Sequence, residues 1–158
     1  MGIRNGSALL ALAGGIVLAA ALPALGQATG SDSVVKAKAT ADKPGGDGKQ
    51  VVTITLEVDP KYHLYANPVG NADLESNQTT VTVTGKARPE SVKVDYPAGE
   101  LVKDKVVGDY KIYKGKVTIK ASVERGKDDS GPLSVAVKLQ ACDKARCLLP
   151  ATIKLSVR

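Results

Sequence analysis

The sequence predicts an all-β fold, an antiparallel β-sandwich, and three observations predict it. Beyond the first thirty residues, apolar and polar residues alternate with a period of two in eight or nine short runs, spaced about ten residues apart. Clusters of glycine, proline and asparagine separate those runs. No stretch after the N-terminal segment carries the 3.6-residue period of a helix. With five tyrosines, no phenylalanine and no tryptophan, the core must be built from Val, Ile, Leu and Ala. Two-sheet packing buries one face of each strand, and the alternation supplies that face.

The chain begins with a weakly basic start (Arg4) and an apolar run from Ala8 to Leu22, and ends this segment with Pro23-Ala24-Leu25-Gly26. A basic start, an apolar middle and a small-x-small end are what a signal peptidase reads, so residues 1–26 are expected to be a signal peptide cleaved after Gly26. An uncleaved anchor is the competing reading, but the Gly14-Gly15 pair and the small-residue ending favour removal. Cleavage leaves one domain's length of chain with no second apolar run long enough to span a bilayer. The expected location is therefore periplasmic or secreted. The net charge of +6 falls to +5 once Arg4 leaves. In an exported protein that small excess serves solubility and acidic partner surfaces; no basic-aromatic interleaving argues for nucleic acid.

Residues 27–33 are small and polar and read as a flexible lead-in to a domain spanning 34–158. Val34 to Thr40 alternates weakly and suits an edge strand, its lysines discouraging edge pairing. Val52, Ile54, Leu56 and Val58 share one face of a strong strand that Asp59-Pro60 stops. Tyr62 to Tyr65, Thr79 to Thr84 and Ser91 to Tyr96 are three further short strands. Leu101 to Asp109 has no clean period and reads as a loop or irregular strand. Tyr110 to Tyr113 precedes a Lys114-Gly115 turn, after which Val117, Ile119, Ala121 and Val123 alternate. Leu133, Val135, Val137, Leu139 and Ala141 line the strand that feeds the cysteines, and Ile153, Leu155 and Val157 line the last one.

Cys142 and Cys147 are the two cysteines of the chain, with four residues between them. An exported pair faces oxidising conditions and is ordinarily joined. A bond closing six residues constrains the unfolded chain by only ~2 kcal/mol, against more than ~4 for a hundred-residue loop. A staple for stability belongs elsewhere, whereas a short loop carrying Lys144 and Arg146 favours accessible, reactive sulfur. Two alternatives stay open on spacing alone: a hairpin disulfide that only pins a turn, and a soft metal site formed with His63, the single histidine. A lone histidine without a nucleophile elbow gives no support to serine-type chemistry. The Asn77-Gln78-Thr79 triplet matches a glycosylation sequon of a kind that arises by chance.

Three segments in order carry a family resemblance: Val58-Asp59-Pro60-Lys61-Tyr62-His63-Leu64-Tyr65, Val106-Val107-Gly108-Asp109-Tyr110-Lys111-Ile112-Tyr113, and Leu139-Gln140-Ala141-Cys142 through Cys147-Leu148-Leu149-Pro150. The last is the most specific. Over residues 34–158 the chain resembles the N-terminal periplasmic domain of the thiol:disulfide interchange protein DsbD. The resemblance implies an immunoglobulin-like sandwich with its cysteine pair at one end, under a mobile cap loop. It implies a protein-disulfide reductase-type interchange domain that takes electrons from a thioredoxin-like donor and passes them to periplasmic disulfide oxidoreductases or isomerases, without a cofactor or metal. By position, Cys147 corresponds to the sulfur that forms the mixed disulfide and Cys142 to the resolving one. Asp104, Lys105, Val106, Val107 and Gly108 correspond to the cap, and His63 and Tyr65 fall beside the cysteines.

Two departures from the family pattern stand out. Well-known members place a phenylalanine of the cap over the disulfide, where this chain has Val106, so shielding is expected to be weaker. A chain ending at Arg158 also carries none of the family's membrane segments or thioredoxin-like domain, so separate reducing partners, or another task, are expected. The competing functional reading is a non-catalytic secreted β-sandwich that binds a partner and holds a structural hairpin disulfide.

Overall fold

The computed structural model describes residues 29–158 apart from 88, 127, 128 and 130, together with residue 2; the segment read as a signal peptide otherwise lies outside the described residues. Among the described residues eleven strands follow one another: β1 (Val35–Ala41), β2 (Lys49–Val58), β3 (His63–Tyr65), β4 (Thr80–Gly85), β5 (Ser91–Asp95), β6 (Glu100–Val102), β7 (Tyr110–Tyr113), β8 (Lys116–Glu124), β9 (Leu133–Leu139), β10 (Ala141–Cys142) and β11 (Ala151–Val157). Every pairing between these strands is antiparallel. The order β1-β2-β8-β5 makes one sheet, while β11-β9-β4 and β10-β3-β7-β6 make two more, linked where β9 runs on into β10. The fold is an immunoglobulin-like β-sandwich. Among the described residues no helix is long and apolar enough to cross a membrane.

The core follows the period-two pattern. Val52, Ile54 and Leu56 of β2 are fully buried, and Ile54 sits opposite Ile119 of β8. From the other layer, Val135 and Val137 of β9 pair with Val83 and Val81 of β4, and all of these side chains belong to one apolar cluster. Each fully buried Val, Leu or Ile side chain contributes about 1.5–3 kcal/mol of transfer free energy. In a core without Phe or Trp, many branched aliphatics take the place of a few large rings.

Tyrosine serves as a pin at the layer edges. The Tyr113 hydroxyl accepts from the Asn67 amide at 3.1 Å and lies 2.9 Å from the Pro97 carbonyl oxygen, a bond it donates. The Tyr96 hydroxyl accepts from the Val81 amide at 2.8 Å. At the start of β2 and the end of β8, buried Arg125 donates to Gln50 Oε1 at 2.9 Å and to the Gly131 carbonyl at 2.6 Å, and pairs with Asp129 at 3.0 Å.

Three local features differ from the sequence reading. Of the aperiodic stretch 101–109, the first two residues complete β6 and pair with β7, and the remainder is loop. Ala72–Asn77 is a 3₁₀ turn, started by Asn71 Oδ1 accepting from the Asp73 amide at 3.0 Å; six residues are too few to display a helical period. Ser31–Val34 is also a 3₁₀ turn, with Ser31 fully buried, inside a stretch read as flexible. Its order comes from partners more than a hundred residues away, which a short polar run gives no sign of.

Candidate functional site

The site is built on a strand pair at one end of the sandwich. Ala141 of β10 lies opposite Leu64 of β3, and Cys142 lies opposite His63. Leu64 and Ala141 are fully buried in the core. Because successive residues of a strand face opposite ways, His63, Tyr65 and Cys142 project together from the other face.

Cys142 and Cys147 are joined in a disulfide, with Cα atoms 3.9 Å apart across an isolated antiparallel bridge. The connecting hairpin is shaped by Asp143. Its amide donates to the Arg146 carbonyl at 2.9 Å, and its carboxylate accepts from the amides of Ala145 (2.7 Å) and Arg146 (2.8 Å). No described non-glycine residue has a positive φ, so the turn uses this side-chain closure in place of a glycine-dependent hairpin turn. Those two amides, with the charges of Arg146 and His63 adding, hold the Asp143 carboxyl below its ordinary range.

The two sulfurs are not equivalent. Cys142 is 2% exposed, whereas Cys147 is exposed to solvent. The Tyr65 hydroxyl lies 3.7 Å from Cys142 Sγ and 3.9 Å from Cys147 Sγ. Disulfide sulfurs carry no hydrogen, so the hydroxyl is the donor in any such contact. Burial, with Tyr110 adding, pushes the Tyr65 phenol up, which keeps its proton in place at neutral pH. The Tyr110 ring packs at 5.9 Å from that of Tyr65, and the His63 ring meets Tyr65 edge-on at 6.1 Å. His63 is half-buried. Its pKa is lowered chiefly by burial, with Lys114 adding and Asp143 acting the other way.

The base of the hairpin is stitched shut. The Leu148 amide donates to the Ala141 carbonyl at 2.8 Å, and Gln140 Nε2 donates to the Leu148 carbonyl at 3.1 Å while its Oε1 accepts from Asn77 Nδ2. Ser31 completes the seam: its hydroxyl donates to the Leu149 carbonyl at 2.7 Å and accepts from the Ala141 amide at 2.9 Å.

The segment Asp104 to Gly108 is a loop beside this end. Asp104 accepts from the amides of Val106 (2.7 Å) and Val107 (3.1 Å), which holds its own carboxyl below the ordinary range. Asn71 Nδ2 donates to the Val107 carbonyl at 2.8 Å. Gly108 has φ +85°, a conformation that suits glycine, and Lys105 is exposed. Val106 is 92% exposed, so in this arrangement its side chain stands in solvent; the side chain found at the sulfurs is Tyr65.

The structure thus brings Cys142, Cys147, His63 and Tyr65 together and places the 104–108 loop with its valine turned outward. Sequence reasoning overlooked Ser31, which no local pattern marks, and the contact of Tyr110 with Tyr65. Among the described residues no group of three or more His, Cys, Asp or Glu side chains is arranged to hold a metal ion. The arrangement offers an accessible sulfur, a buried sulfur behind it, and a hydroxyl donor at both, which are the parts thiol–disulfide exchange uses.

Known proteins of the same shape share this fold. The DsbD N-terminal domain of Neisseria meningitidis in its reduced form superposes with a TM-score of 0.53 at 13% identity, covering 80% of this chain and 85% of that one. The same Neisseria domain in complex with the PilB N-terminal domain gives 0.54 at 11% identity, covering 77% and 80%. The N-terminal periplasmic domain of ScsB from Proteus mirabilis gives 0.52 at 17% identity, covering 77% of this chain and 44% of that one. No curated protein matches the sequence. The model of the family described as thiol:disulfide interchange protein DsbD, N-terminal, matches residues 31–157, nearly all of the described chain, and the chain belongs to that family.

Proposed function

We propose that this domain carries out thiol–disulfide exchange outside the cytoplasm, moving electrons from a thioredoxin-like donor to periplasmic disulfide oxidoreductases or isomerases through Cys142 and Cys147. The observation that carries the reading is the unequal exposure of the two sulfurs, one open and one buried. A partner sulfur reaches Cys147 from solvent. Cys142 sits behind it, too enclosed to be attacked first and close enough to resolve what forms.

In the charging direction, a donor thiolate attacks Cys147 Sγ. The Cys142–Cys147 bond breaks, Cys142 departs as a thiolate and takes up a proton. The donor's second thiol, losing its proton, then attacks the mixed disulfide and releases Cys147. The donor leaves oxidised by two electrons, and the domain holds two thiols. In the discharging direction, the Cys147 thiolate attacks an acceptor disulfide, and Cys142 attacks Cys147 Sγ to release the reduced acceptor. Electrons and protons balance across the cycle, with no cofactor.

In this reading Tyr65 supplies a hydrogen bond to departing sulfur, and His63 and Asp143 shape the local charge. The 104–108 loop serves as the cap. Its left-handed Gly108 and the Asn71 tether on Val107 make it a short arm able to close over Cys147 when Val106 turns inward. The Neisseria DsbD N-terminal domain forms a complex with the PilB N-terminal domain, which supports a protein partner for this fold.

The test is trapping. With a thioredoxin-like dithiol protein, Cys142→Ser is expected to accumulate a mixed disulfide through Cys147, and Cys147→Ser to form none. Equal exchange rates in both single variants and the wild type would end this reading.

A further inference from the structure

We infer that Ser31 is a positioning residue for the sulfur pair: it joins the strand that enters the hairpin to the segment that leaves it, and so sets the effective concentration of one cysteine about the other. The inference deepens the exchange reading above and rests on it for its functional meaning.

The bonds of Ser31 reach both arms of the hairpin. Its hydroxyl accepts from the amide of Ala141, the residue before Cys142, and donates to the carbonyl of Leu149, two residues after Cys147. Its own amide donates to the same Leu149 carbonyl at 2.9 Å, and the Leu149 amide donates back to Thr29 at 3.3 Å. Gly30 and Leu149 form a parallel bridge. One side chain therefore spans both arms of the hairpin at its base, from a segment 110 and 118 residues away in sequence.

Ser31 is fully buried, so water cannot stand in for a lost bond. In the disulfide state the covalent bond holds the arms together whether or not Ser31 does. In the dithiol state that bond is gone, and the arms are held at their base by Ser31, the Leu148–Ala141 backbone bond and Gln140, and across the turn by Asp143. Removing the hydroxyl therefore frees the reduced state more than the oxidised one. The reduced form gains freedom, disulfide formation becomes less favourable, and the reduction potential rises. A buried hydrogen bond of ordinary strength corresponds to about a tenfold change in that equilibrium. For a two-electron couple, tenfold is about 30 mV.

The experiment equilibrates the full chain, as wild type, Ser31→Ala and Ser31→Thr, across a ladder of glutathione ratios extended with dithiothreitol, and counts thiols by alkylation and mass. Ser31→Ala is expected to show about a tenfold lower effective concentration, and Ser31→Thr, which keeps the oxygen, to stay within about threefold of wild type. Melting temperatures are taken in both redox states, and the oxidised form of Ser31→Ala should lose more than the reduced form, because a weaker tendency to form the disulfide in the folded state means that the disulfide stabilises the fold less. An unmoved midpoint, or equal melting losses in both states, overturns the inference. If Ser31→Ala does not fold, hydrogen exchange of the wild type decides. The Ala141 amide should stay protected after reduction, and loss of that protection overturns the proposal. Exchange with a thioredoxin-like protein is measured alongside. Its failure in a wild type that still equilibrates with glutathione sinks the exchange reading while leaving the Ser31 result standing.

Discussion

The hydroxyl of Tyr65 lies 3.7 Å from Sγ of Cys142, the sulfur that the proposed attack on Cys147 would turn into a leaving group. A phenol kept protonated by burial can donate to a thiolate as charge develops there. Hydrogen bonds to charged groups contribute about 1.5–3 kcal/mol. Tyr65→Phe keeps the ring against Tyr110 and removes the donor, so reduction of the disulfide by a dithiol should slow by about tenfold or more while the melting temperature changes little. Stopped-flow reduction rates check this, and an unchanged rate would remove Tyr65 from the mechanism.

His63 stands directly across from Cys142, and its pKa is lowered from the ordinary 6.5, first by burial and then by Lys114. The unfolded chain therefore binds more protons at this residue than the folded one as pH falls below that value, and stability rises with pH there. The contribution of His63 is fully present above pH 6.5 and is lost as pH drops through its lower folded value. The depressed carboxyls of Asp143 and Asp104 act in the same direction, but only in the more acidic range below their ordinary 3.8. Thermal melts of wild type and His63→Gln between pH 7.5 and 5 (on the order of the His titration range) should converge as the pH falls. Parallel curves would contradict the assignment.

Much of the sandwich was legible because two-layer packing writes itself as alternation. Leu133, Val135, Val137 and Leu139 read as one buried face, and they are one. The cysteine pair and its neighbours His63 and Tyr65 were legible through short motifs and the resemblance they carry. Which sulfur is buried was not. That depends on Cys142 being a strand residue under Tyr65 while Cys147 lies beyond the turn, a matter of register and not of composition. Ser31 was hidden for a related reason: a serine in a polar run looks like solvent-exposed chain until Ala141 and Leu149 close on it. The outward stance of Val106 belongs to loop conformation, which carries no period to read.

Leu64 links the core to the site, being fully buried and paired with Ala141 on one side and Tyr113 on the other. Leu64→Ala should lower stability by about 2–5 kcal/mol, because the vacated volume lies in a packed strand centre. It should also loosen the register that sets Cys142 against His63. Chemical denaturation measures the first effect. A loss under about 1 kcal/mol would mean that this end of the sandwich repacks freely.

The central claim is that the bond between Cys142 and Cys147 exists to be opened and remade. Its reduction potential tests that most directly. An exposed, exchanging pair should titrate above about −300 mV, within reach of protein dithiols. A value below that, with no reduction by a thioredoxin-like protein, would make the bond a fixed pin and contradict the account.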